Sequence, residues 1–387
     1  MAWGFLSLNR SVIFLDLKLL ISLIMRVILL FLHGSNSDLL QNLKLACVSM
    51  FNKISMREKM FVSLISLFAM SLYCCAQQHE YKVVKTYHIA SPGGWDYITV
   101  NDGKLYVSHG TQVNILNEET GDSIGFIPNT TGVHGIAFDN ELNKGYTSNG
   151  RLNNVTVFDL KTNEVLGQIA TGQNPDAIMY EPFTRTIITC NGRSKNLSII
   201  DPRQGKTVDS IDVGGKPETA TSDGNGKIFV NIEDRSEIVA IDIKNRTVLS
   251  HWPLKPAEGP TGLVYDKETK RLFAGCDKML AILNAETGAL VLTLPIGDGC
   301  DGAAFDSKNK IVFTSNGEGT ITAVKENGAD KFSVLGNYTT KRGARTITID
   351  EKSQTLFLPT ADFDPTKTNS NGRPMMVPGT FQVLVVQ

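Results

Sequence analysis

Seven positions separated by 38, 42, 42, 43, 40 and 44 residues hold Asp96, His134, Asp176, Glu218, Thr261, Asp301 and Arg345. Each is followed 13 to 15 residues later by a member of a second series: His109, Asn149, Asn191, Ile232, Cys276, Asn316 and Thr360. Four acids, two histidines, an arginine and three asparagines could bind a hard cation or a polyhydroxy or carboxylate ligand. Calcium takes carboxylate and amide oxygens, whereas zinc accepts imidazole together with carboxylate. Asp96, Asp176, Glu218 and Asp301 are therefore the candidate ligands of a divalent cation, calcium or zinc. His134 is the candidate base if a metal-bound water is the nucleophile. Arg345 could clamp a carboxylate or steady an oxyanion. A purely structural role competes with all of this, because Asp and Asn ahead of strands commonly accept turn N–H groups, one per repeat, with no ligand present. Against it, four acids gathered in one place carry an electrostatic cost unless a cation relieves it.

The spacing itself comes from an internal repeat. Residues 133–172 contain four short runs rich in Val, Ile, Thr, Tyr and Phe, with period-two alternation and a turn signal closing each. The unit recurs seven times, marked after its first run by Asn101, Asp139, Glu181, Asp223, Asp266, Asp306 and Asp350. Four strands in about forty residues, repeated seven times, predict an all-β fold, a seven-bladed β-propeller of four-stranded blades. The last repeat ends on its third run at 381–386, and an unpaired run at 81–89 precedes the first repeat. The N-terminal strand should complete the last blade and so remove the open edges of the array. Strands in a blade are antiparallel, so the start of the inner strand and the end of the second share one face. Both series should then line the same mouth of the central channel.

The runs Tyr106-Val107-Ser108, Tyr146-Thr147-Ser148-Asn149 and Phe313-Thr314-Ser315-Asn316 resemble the repeat of the YVTN-type propeller family. Asn174-Pro175-Asp176-Ala177 and the Asp-x-x-Thr-x-x-Val phrase at 159–165 resemble it too, and the likeness spans about 81–387. Segments 342–346 and 378–386 are similar to those of exported bacterial members. The resemblance implies the propeller fold. Propellers of this outline include lactonases, quinoprotein and haem oxidase scaffolds, and pure binding proteins, so it does not select a function.

The first 76 residues read differently. Residues 60–73 form an apolar run after Arg57 and Lys59 and end in Cys74-Cys75-Ala76, the order of a secretory signal. The apolar runs 19–32 and 60–73 are both short of the roughly 20 residues a spanning helix needs. Residues 1–55 read as an upstream extension, 56–76 as the signal, and 77–387 as the propeller. The expected protein is exported, periplasmic or at the cell surface, with a membrane link only through a lipid on Cys74 or Cys75. A monomer is expected. Of six cysteines, Cys190, Cys276 and Cys300 fall within the repeats, a number too small for a disulfide framework; one bridge, Cys276–Cys300, is compatible with an oxidising compartment.

Residues 361–379 interrupt the seventh repeat with a Pro-, Gly- and Asn-rich insertion. It could arch over the mouth and bring Arg373, Met375 and Met376 to a ligand, or be a tolerated elongation. Glu233-Asp234-Arg235 reads as a solvated charged turn, and Trp95 as propeller core. A formal net charge of −1, without a basic block, disfavours nucleic acid as a partner. No G-x-S-x-G stands in a strand–helix context, which argues against serine hydrolysis. The expected function is binding of a small polar ligand or a protein partner at the mouth, without turnover. The alternative is a metal-dependent lactonase-like hydrolase using the same residues.

Overall fold

The computed structural model describes residues 80–368 and 374–387. The expected extension, signal and lipidation cysteines, and Arg373, lie outside the described residues. Within them, seven four-stranded antiparallel sheets follow one another around a ring. Blades 1 to 6 span residues 95–127, 133–170, 175–212, 217–253, 263–295 and 300–339. Blade 7 takes Thr348–Asp350, Thr355–Thr360 and Gln382–Val386 from the C-terminal end and Val83–His88 from the N-terminal end.

The two-residue period explains why blades stack. Along Lys227–Ile232 in blade 4, Ile228, Val230 and Ile232 pack against blade 3, while the intervening Phe229 packs against blade 5. Each blade is thus apolar on both faces and must be covered twice. Seven buried apolar clusters result, one at each junction between neighbours, and the one joining blades 7 and 1 closes the circle. At about 1.5–3 kcal/mol for each fully buried large apolar side chain, these junctions are the main source of stability.

The acids that mark the repeat are turn caps. Asp139 accepts from the backbone N–H of Leu142, Glu181 from Phe183 and Thr184, Asp306 from Asn309, and Asp350 from Lys352 and Ser353. Their recurrence follows from the need to turn the first hairpin of every blade.

The closing strand Val83–His88 pairs antiparallel with Gln382–Val386. Tyr87 fastens it. Its ring covers Gly121, where a Cβ would stand 2.1 Å from the ring, and its hydroxyl donates toward the carbonyls of Glu118 and Glu119 at 2.9 and 2.8 Å. Residues 361–379 include a two-stranded hairpin, Phe363–Thr368 with Pro374–Met376. The bridge that the sequence allowed between Cys276 and Cys300 is not formed: both are free, buried thiols.

If closure rests on this contact, Tyr87→Ala should lower unfolding stability by about 3 kcal/mol in urea titrations, the cost of emptying a large buried aromatic site. A loss under about 1 kcal/mol would mean the strand contributes little.

Candidate functional site

The inner strands do not run regularly into the mouth. Pairing with the second strand slips between Trp95 and Ile98, Val133 and Ile136, Pro175 and Ile178, Pro217 and Ala220, and Cys300 and Gly302. Each slip leaves one or two residues outside the ladder and re-aims their side chains. Those residues include Asp96, His134, Asp176, Glu218 and Asp301. Hydroxyls of the preceding blade then tie down the displaced backbone. Ser148 Oγ donates to the carbonyl of Asp176, Ser315 Oγ to that of Arg345 at 2.5 Å, and Thr346 Oγ1 to that of Asp96 at 2.6 Å.

The charged side chains so placed interlock. His134 Nδ1 lies 2.6 Å from Asp96 Oδ2 and 3.6 Å from Asp176 Oδ1. Arg345 Nη1 lies 2.6 Å from Asp301 Oδ2, and its Nη2 is 3.5 Å from Asp96 Oδ1 and 3.2 Å from the Trp95 carbonyl. Lys216 Nζ sits 3.2 Å from Glu218 Oε2 and also contacts Glu233. Asp96 is therefore shared between His134 and Arg345. Tyr97 reaches from blade 1 across to blade 4, its hydroxyl 3.4 Å from Thr219 Oγ1. The inner strands enclose a cavity of about 220 Å³ lined by Tyr97, Ile136, Ile178, Thr219, Asp301 and Thr346 among others.

Burial sets the electrostatics. It pushes the Glu218 carboxyl up to about 8, with the Asp176 charge adding and Lys216 opposing. It pushes Asp176 up to about 6, with His134 opposing and Asp96 adding. Asp301 is raised by burial, against the pull of Arg345. For His134 burial disfavours the charge, but the Asp96 hydrogen bond and the Asp176, Asp96 and Glu218 charges outweigh it, so its pKa is raised. Burial and neighbouring acid charge thus favour the protonated form of Glu218 most strongly.

The second series stands elsewhere. Asn149 donates to Asn154 Oδ1 and Thr156 Oγ1 at 2.8 and 2.9 Å and accepts from Thr147 Oγ1 at 2.9 Å. Asn191 and Asn316 repeat the pattern with Asn196, Ser198 and Thr189 and with Thr320, Thr322 and Thr314. All three are fully buried, so their amides brace the second strand against the third rather than line the channel. His109 is buried in the wall: Nδ1 faces Ser91 Oγ at 2.5 Å, Nε2 faces the Gly93 carbonyl at 2.8 Å, and the ring stacks on Phe381. Ile232 and Cys276 are core, and the hydroxyl of Thr360 meets a backbone carbonyl; so does that of Thr261, the first-series member that joins no ion pair. Both series were expected to line one mouth; the charged members of the first gather there, and the second is built into the blades.

Sequence reasoning missed Lys216, Tyr97 and Glu233. The pattern Lys216-Pro217-Glu218 repeats Asn174-Pro175-Asp176 with a cation substituted, which was the available signal. The charged turn at Glu233–Arg235 is solvated as expected and also supports the site: Glu233 contacts Lys216 Nζ, and Asp234 accepts from the Lys216 N–H at 2.6 Å. Trp95 packs between Phe381 and Phe363 of the hairpin, which anchors the insertion beside Asp96.

Glu218 gives a signed test. Between its ordinary value of 4.5 and about 8, the folded chain holds a proton that the unfolded chain has lost. Stability from this group therefore falls as pH rises through that window. Glu218→Gln removes the loss, so the variant's melting temperature relative to the parent should climb from pH 5 to pH 9. A difference that is flat, or that falls, would contradict the assignment.

No protein-family model matches the chain, and no curated protein does. Among solved structures, the WD40 repeats of RRP9 superpose with a TM-score of 0.65 at 8% identity, covering 80% of this chain and 98% of that one. A chain of Kuenenia stuttgartiensis hydrazine synthase gives 0.62 at 15% identity, covering 70% and 94%. Identities this low carry the fold alone, and by fold the chain is a seven-bladed β-propeller.

Proposed function

We propose that this propeller is an exported binding protein whose channel mouth takes a small ligand rich in positive charge or hydrogen-bond donors. The observation that carries the reading is the pairing pattern. Arg345, His134 and Lys216 are each already in contact with two carboxylates, while Asp96, Asp176, Glu218 and Asp301 offer more acceptor positions than those three cations fill. An anionic ligand would have to pull a cation off its acids. A donor-rich one has vacant lone pairs to meet. The expected role of Arg345 as a carboxylate clamp is thereby disfavoured, since Asp301 already occupies its guanidinium at 2.6 Å.

The hydrolase alternative draws on the Asp96–His134 contact, which would orient an imidazole as base. The same contact, with the neighbouring acid charges, outweighs burial and raises the pKa of His134, which favours the charged form that has no lone pair to accept a proton. Binding without turnover is the better-supported reading.

Calorimetric titration of a diamine, a polyol and a tricarboxylate should show binding for the first two classes and none for the third. Asp301→Asn should weaken diamine binding by about 10-fold, as expected for one lost charge-assisted contact. Tight tricarboxylate binding with no diamine binding would reverse the sign of the site.

A further inference from the structure

We infer that Asp96, His134 and Asp176 form a binding site for a divalent transition ion of the zinc class. This deepens the reading of the mouth as a cation-accepting site and rests on it. Each of the three residues offers one ligand atom, and these atoms all lie within 4.8 Å of one another. The imidazole nitrogen Nδ1 faces both carboxylates at once, at 2.6 and 3.6 Å. A metal ion in that space would take the place of an Nδ1 proton and draw on the same three lone pairs. The donors come from three successive blades, each from a strand whose pairing slips at that point.

An outer set of contacts holds the donors in place. Thr346 Oγ1 fixes the Asp96 backbone at 2.6 Å, Ser148 Oγ fixes that of Asp176, and Arg345 lies 3.5 Å from Asp96 Oδ1, the oxygen that does not meet His134. Such outer-shell orientation is characteristic of metal sites. Glu218, from the next blade, is buried and its charge acts on His134, but Lys216 Nζ holds its Oε2 at 3.2 Å, so it stands outside the donor set. One imidazole with two carboxylates is a set for zinc or a neighbouring first-row ion. Calcium would need six to eight oxygens, more than this group supplies.

The test is equilibrium dialysis of the full chain against Zn²⁺, with Ca²⁺ as a second arm and bound metal read by elemental mass spectrometry. The expected result is one zinc per chain, not displaced by excess calcium. Affinity should fall at least about 100-fold in His134→Gln and in Asp176→Asn, the top of the range for loss of even an outer-shell partner. Two variants are used so that a folding defect in one, seen by circular dichroism, does not decide the matter. No zinc bound, or zinc bound equally by both variants as an adventitious ion, overturns the inference. If zinc fails while diamine still binds in an Asp301-dependent way, only the metal site is lost. If neither binds, the reading of the mouth falls with it.

Discussion

Every blade in this chain is apolar on both faces, and that single constraint organises the rest. A sheet buried on one side can face water on the other, but one whose residues alternate between two neighbours, as Ile228, Phe229 and Val230 do, cannot stop stacking until it meets its own beginning. Closure is the solution. The N-terminal strand supplies the outer edge of the last blade, and the junction between blades 7 and 1 is built from Tyr87, Ile98, Leu105, Phe357 and Val383 like any other.

The candidate site is a consequence of the same closure. Asp96 begins the first blade, yet its backbone is held by Thr346 and its side chain is approached by Arg345, both from the start of the last. His134 is in turn oriented by Asp96. The imidazole of blade 2 is therefore positioned through a chain of contacts that exists only in a closed ring. Electrostatics reinforces the arrangement: Arg345, His134 and Lys216 each meet two carboxylates, and burial raises the pKa values of Asp176 and Glu218.

Much of this was legible in the sequence, for a physical reason. Strand alternation and hairpin caps are local, so their period survives in the residue order, and the first series is spaced by the same period because it sits at the same point of each inner strand. The second series was assigned to the mouth by the same logic and belongs elsewhere. Asn149, Asn191 and Asn316 each have a Thr two residues before and a Thr or Ser six or seven residues after, and these hydroxyls satisfy the amide inside the blade. That Thr-x-Asn pattern was present in the sequence, and it identifies a brace rather than a ligand. What the residue order could not convey was which acid is buried most deeply or that Tyr97 crosses the channel, since both depend on packing among blades far apart in the chain.

The claim at the centre is that the positive groups of the mouth are already committed to its acids. The titration of His134, followed by NMR of its imidazole carbons and assigned with His134→Gln, tests this most directly. The account predicts a midpoint above the 6.5 of an ordinary histidine, moving downward when Asp96→Asn removes the hydrogen-bonded charge. A midpoint at or below 6.5 that ignores Asp96→Asn would show burial to dominate and His134 to be neutral, and the paired mouth would not stand.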